Sequence, residues 1–114
     1  MTAPFEEISS LDRVVHEPAR LAILTALDAC RTADFQFLQS VTGLTNGNLS
    51  THLARLKRAG LVTTAKTFRG NMPHTAVSLT VDGRATIRAH WTRLRELRRA
   101  ARRWKGTGGR EPTA

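Results

Sequence analysis

The stretch Thr45-Asn-Gly-Asn-Leu-Ser-Thr-His-Leu-Ala-Arg-Leu-Lys-Arg-Ala-Gly-Leu-Val62 decides how the chain is to be read. Leu49, Leu53 and Leu56 recur at i, i+4 and i+7, the spacing of one buried helical face. Thr45 suits the N-cap and Gly60 the C′ stop, so the spacing predicts a helix over residues 45–59. With the leucines inward, the opposite side presents Gly47, Asn48, Thr51, Arg55 and Arg58, and Ser50 and His52 fall on the flanks. Arg pairs bidentately with guanine, Asn with adenine, and Ser or Thr bonds a base or a phosphate. Asn46 and Asn48 in the first turn, with Thr51 and Arg55 farther along, are therefore the candidates for reading base edges. Gly47 would let the backbone approach closely.

The charge balance around this helix is lopsided. The 114 residues carry a formal net charge of +9. Residues 1–44 hold only Arg13, Arg20 and Arg31 against Glu6, Glu7, Asp12, Glu17, Asp28 and Asp34. Residues 45–75 hold Arg55, Lys57, Arg58, Lys66 and Arg69 and no acid, whereas a solvated face ordinarily mixes signs. Residues 82–105 hold nine basic side chains against Asp82 and Glu96. One half of the chain repels phosphate and the other attracts it, which points to an oriented contact with a polyanion.

Working outward, residues 37–42 read as the preceding helix with Gly43 ending it, and Asp34-Phe35-Gln36-Phe37 as a short strand leading in. Pro18 suits the first turn of a helix that reaches Cys30 on a stripe of Leu21, Ile23, Leu24, Ala26 and Leu27. Ser9 or Ser10 is expected to cap a first helix through about His16, with Ile8, Leu11, Val14 and Val15 on its apolar side. Downstream, residues 61–68 lose the helical period and turn to Thr, Val, Ala and Phe, which favours strand. Residues 69–73 are a turn cluster, and residues 74–79 alternate as a returning strand. At the tip, Arg69 can bond phosphate or enter a narrow minor groove, with Asn71 and His74 beside it; the alternative is that it only keeps a loop soluble.

Thr80 can cap a last helix reaching Trp104, with Asp82 near its positive end. Ile87, Trp91, Leu94, Leu97 (or Arg98), Ala101 and Trp104 recur near 3.5 residues and form an apolar seam flanked by arginines. Two tryptophans on a helix with no further chain to cover them suggest a partner surface; the alternative is that the helix folds back onto its own domain, at least at Ile87 and Trp91. The arginines outside the seam either contact phosphates or stay solvated.

The fold class expected is mainly α with a small β-hairpin wing: a winged helix-turn-helix with N- and C-terminal dimerisation helices. Its expected parts are an N-terminal extension (1–8), a DNA-binding domain (9–80), a dimerisation helix (81–105) and a disordered tail (106–114). In such a unit the second helix of the central pair enters the major groove. Leu11, Val15, Trp91, Leu94, Leu97, Ala101 and Trp104 are the expected dimer contacts.

The segment around Leu49-Ser50-x-His52-Leu53, with Leu56 and Gly60-Leu61-Val62, resembles the recognition helix of ArsR- and MarR-type winged-helix regulators. Leu11 through Leu24, Asp34-Phe35 and Ser78-Leu79-Thr80-x-x-Gly83-Arg84 resemble a compact MarR-like subgroup, so the likeness spans about residues 9–95. It implies a homodimer binding a pseudo-palindromic operator on double-stranded DNA, usually as a repressor. Carried over by position, Ser50, Thr51, His52 and Arg55 contact DNA and Arg69 sits in the wing. The resemblance leaves room for a small-molecule effector at the dimer interface, and no residue pattern identifies one.

The paired cysteines of metal-sensing ArsR members are missing from residues 35–43, and His16, His52, His74 and His90 have no ligand spacing, so no metal or cofactor is expected. No nucleophile–base set or phosphate loop argues for an enzyme. Cys30 is alone, which fits a reducing cytoplasm, and is expected to be buried as a small apolar residue rather than exposed as an oxidation sensor. There is no apolar run of membrane-spanning length, and residues 1–8 lack a basic leader. The competing readings are a sequence-tolerant architectural DNA-binding protein and a protein-interaction module on the same scaffold.

Overall fold

In a computed structural model, which describes residues 5–104, the leucine stripe of the opening segment lies at the centre of the core. The elements run α1 (Glu6–Ser9), α2 (Pro18–Cys30), β1 (Thr32–Asp34), α3 (Phe35–Thr42), α4 (Asn46–Arg58), β2 (Val62–Arg69), β3 (Met72–Leu79) and α5 (Val81–Arg103). The chain is mainly helical, with a small antiparallel sheet in the order β1-β3-β2. Leu49, Leu53 and Leu56 of α4 pack with Ile23, Leu24 and Leu27 of α2, Leu38 of α3, Val77 of β3 and Ile87 of α5. Each of these residues is buried.

Local chemistry sets the helix ends. The Thr45 hydroxyl accepts the Asn48 N–H at 3.2 Å, and the Thr80 hydroxyl accepts that of Gly83 at 2.8 Å, each satisfying a donor the first helical turn leaves orphaned. Gly43 ends α3 at φ +72°, in the left-handed region. The wing's turn is shorter than the composition suggests. Only Gly70 and Asn71 separate β2 from β3, with positive φ at Gly70 alone, the pattern of a type II′ hairpin. Pro73, expected in the turn, lies in β3 opposite Phe68. β1 pairs only with Ala76 to Ser78, so at Pro73 the strand has a free side and the missing N–H costs nothing there.

Three other expectations are corrected. The strand and helix over residues 34–42 begin earlier, because the Asp34 carboxylate accepts the Phe37 N–H at 2.7 Å and makes Asp34 the N-cap. No helix spans residues 9–16. The Asp12 carboxylate accepts the Val14 N–H, the Glu17 N–H reaches Val15 O, and the chain turns there, leaving only the short α1 upstream. Leu11 and Val15 still point inward, but into their own chain: Val15 is 0% exposed and Leu11 7%. They have next to no surface to give a partner subunit. Cys30, at the end of α2, is exposed rather than buried. The tail expectation lies outside the described residues.

The early part of α5 is integral to this body. Gly83, Ile87 and His90 are buried, Arg84 and Arg88 reach Asp28 of α2, and the Trp91 indole N–H donates to the Thr25 hydroxyl at 3.1 Å. His90 Nε2 lies 3.1 Å from His16 Nδ1, which fastens the turning segment to α5. Burial, then His16 and Arg93, hold His90 below the usual histidine range against the opposing pull of Asp12. Below about pH 6.5 the unfolded chain therefore binds a proton more readily than the folded one, and stability falls with acidification through that window. Urea midpoints measured from pH 8 to pH 5 should decline on this limb, with a shallower decline in His90→Gln; equal slopes would refute the assignment to His90.

Candidate nucleic-acid interface

The exposed side of α4 and the wing share one face of the molecule. Asn46, Asn48, Ser50, Thr51, Arg55 and Arg58 are all exposed on α4. Arg55 and Arg58 have no ion-pair partner among the described residues, so their guanidinium groups remain available. Lys57 is different: its ammonium donates to the Thr64 hydroxyl at 3.0 Å, binding α4 to β2. The Thr51 hydroxyl donates to Gly47 O at 3.0 Å, which spends its proton inside the helix and leaves it only as an acceptor.

Between α4 and the wing is a cleft of about 310 Å³ lined by Phe35, Gln36, Asn46, Ser50, Pro73, His74 and Thr75. Asn46, Ser50 and His74, which are far apart in the sequence, thus come together, and Gln36 joins them without having been foreseen. The cleft is bounded by the two parts of the fold expected to meet DNA.

The wing carries a surprise. Arg69 Nη2 lies 3.3 Å from Asp34 Oδ2, so the tip arginine is paired within the chain although its side chain is 74% exposed. Asn71 is in the turn itself, and Phe68 and Met72 beside it are exposed apolar residues that composition did not single out. His52 differs more. It is half-buried, and its Nδ1 lies 3.3 Å from Arg20 Nη1 and 3.7 Å from Glu17 Oε2. Both partners are at the start of α2, more than thirty positions away, with no sequence signal linking them to α4. Burial raises the Glu17 pKa, but the N–H groups of Arg20 and Ala19, with His52 and Arg20 charge, outweigh it and hold the carboxyl below its ordinary range.

The expected partner seam is partly open. Trp91 on α5 and Trp104 just past its end are exposed, Leu94 and Leu97 are half-buried, and Ala101 is exposed. Trp91, Leu94, Arg95 and Arg98 line a shallow apolar depression. Trp104 meets Phe5 edge-on at 5.1 Å, and Glu7 pairs with Arg93, so the N-terminal turn lies along the far part of α5. No group of three or more His, Cys, Asp or Glu able to hold a metal occurs among the described residues. No described helix is long and apolar enough to cross a membrane.

Residues 19–98 match the model of a family described as a winged helix DNA-binding domain. A transcriptional regulator homologue from Pyrococcus horikoshii superposes with a TM-score of 0.78 at 32% identity, covering 86% of this chain and 96% of that one. HlyU from Vibrio cholerae superposes with a TM-score of 0.57 at 26% identity, over 82% of this chain and 97% of its own. An uncharacterized protein of Methanocaldococcus jannaschii is 27% identical over 85 residues, 75% of this chain and 92% of its own length.

Proposed function

The chain belongs to the winged helix DNA-binding domain family, and on that premise we propose that it regulates transcription as a homodimeric repressor seated on a pseudo-palindromic operator. Its coarse character is that of a DNA-binding transcriptional regulator of winged-helix type, resembling the ArsR and MarR families. The observation that carries the finer reading is the exposed, acid-free face of α4, with Arg55 and Arg58 unpaired among the described residues, beside a hairpin from the same acid-free stretch.

In this reading α4 enters the major groove with its N-terminal half toward the bases. Asn48 and Arg55 read base edges, Asn46, Ser50 and Thr51 supply the shorter contacts, and Arg58 grips a phosphate. Arg69, Asn71 and His74 engage the backbone or the adjoining minor groove from the wing. Trp91, Leu94, Leu97, Ala101 and Trp104 form the dimer seam, and the two α4 helices then meet half-sites about one helical turn apart.

Fluorescence anisotropy against duplexes tiled across the DNA flanking the gene tests this. One tile should bind on the order of a thousandfold tighter than random duplex, with affinity falling steeply as salt rises. Uniform affinity across all tiles would instead support the sequence-tolerant architectural reading. A monomer by light scattering when bound to its best tile would refute the dimer.

A further inference from the structure

We propose that Arg20 is a positioning residue that fixes the tautomer of His52, making the ring's Nε2–H a donor for a DNA phosphate. The phosphate half of this rests on the DNA-binding reading above; the tautomer half does not.

The argument begins with what a guanidinium can do. It has N–H donors and no acceptor, so where Arg20 Nη1 meets His52 Nδ1 at 3.3 Å the imidazole nitrogen must accept. A neutral imidazole accepting at Nδ1 carries its proton at Nε2. Arg20 is not free to turn away. Its Nε donates to Val14 O at 2.6 Å, its Nη2 donates to Arg13 O at 3.1 Å, and its side chain is only 11% exposed. The opposite tautomer has little to recommend it, because an Nδ1–H would face the guanidinium and find Glu17 Oε2 at 3.7 Å, beyond hydrogen-bond range. Glu17 Oε2 is held in place by the Arg20 N–H, which it accepts at 2.9 Å as the N-cap of α2.

His52 Nε2 has no hydrogen-bond partner among the described residues. The ring sits on the flank of α4, between the buried leucine stripe and the exposed face of Thr51 and Arg55. Side chains at the edge of a helix in the major groove meet the sugar-phosphate wall rather than the bases, and such contacts fix register without reading sequence. A preset donor there orients the helix, and the turning segment of residues 13–14, through its two carbonyls, sets the donor.

The test has two arms. Long-range ¹⁵N–¹H spectra of the free protein at pH 8 should show His52 as the Nε2–H tautomer, and Arg20→Met should convert it to a mixture. A predominant Nδ1–H form, or no change in Arg20→Met, overturns the role of Arg20 whether or not DNA binds. The second arm measures affinity for a mixed-sequence 20-bp duplex across salt concentrations, with thermal melts confirming that each variant is folded. His52→Asn, whose amide stands near the Nδ1 place, should bind about tenfold more weakly at every salt concentration, with an unchanged slope because no charge is lost. His52→Gln, whose amide reaches the Nε2 place, should recover most of that loss. Arg20→Met should weaken binding in the wild-type background and not further in His52→Asn. Equal losses in the Asn and Gln variants, or a slope lowered by about one unit, overturn the neutral-donor contact. Failure of the wild type to bind any duplex overturns that contact together with the DNA-binding reading, leaving the tautomer result to stand alone.

Discussion

Gly83→Ala should destabilise the fold by about 3 kcal/mol or more, a large share of the roughly 5–15 kcal/mol that holds a domain together. A Cβ at this position would collide with the backbone carbonyl oxygen of Leu61 and lie 2.9 Å from its carbon and 3.2 Å from its Cα. None of these atoms can rotate aside as a side-chain tip can. The same carbonyl accepts the Thr80 N–H at 3.0 Å, while the Thr80 hydroxyl donates to Gly60 O at 2.7 Å and accepts the Gly83 N–H. Moving α5 outward to admit the methyl therefore strains several hydrogen bonds at once. Alanine's better helix propensity returns only about 1 kcal/mol. Urea unfolding followed by circular dichroism reads the result, and a variant within about 0.5 kcal/mol of wild type would mean the close approach is not rigid.

The paired change Asn48→Ala and Arg55→Ala should lower affinity for the preferred site by a hundredfold or more, since each bidentate base contact contributes about 1–3 kcal/mol of discrimination. Affinity for random duplex should fall far less, by roughly tenfold, because only one cation is lost. Both side chains are exposed and contribute nothing to the core, so the melting curve should stay near that of wild type. Competition binding with preferred and random duplexes separates the outcomes. An equal loss on both would reduce Asn48 and Arg55 to phosphate contacts, and no loss on either would move base reading elsewhere.

Helix α4 was legible in sequence because its signals are local: a stripe of three leucines, a threonine four positions before the first of them, and glycine at the stop. The same holds for the Gly43 end of α3 and the Thr80 cap of α5. The reading failed over residues 9–16, where Leu11, Val14 and Val15 give a helical spacing but Asp12 bonds the Val14 N–H and bends the chain. Apolar spacing reports which side chains face inward, and it did so correctly for Leu11 and Val15. It cannot report whether they face a partner or their own domain. Phe35 and Gln36 were read as strand because the capping role of Asp34, the last residue of β1, depends on a side-chain bond three residues ahead that an alternating pattern conceals.

The candidate site divides along the same line. Asn46, Asn48, Ser50, Arg55 and Arg58 could be assigned from a helical wheel, since no side chain of another element bonds them among the described residues. His52 could not, because its neighbours Glu17 and Arg20 arrive through tertiary packing of α2 against α4. Arg69 was recognised as the only arginine of the wing, but its pairing with Asp34 needs β1, β3 and β2 to lie side by side.

That pairing bears on how the wing would behave in a search along DNA. If Arg69 engages a phosphate as proposed, the Asp34 carboxylate 3.3 Å from its Nη2 is a tethered competitor that the phosphate must displace. With the Arg69 side chain 74% exposed, the pair contributes at most about 1 kcal/mol, so the exchange would be nearly even and easily reversed. A passing stretch of duplex in the wrong shape would leave the arginine with its own carboxylate, and the protein would slide on.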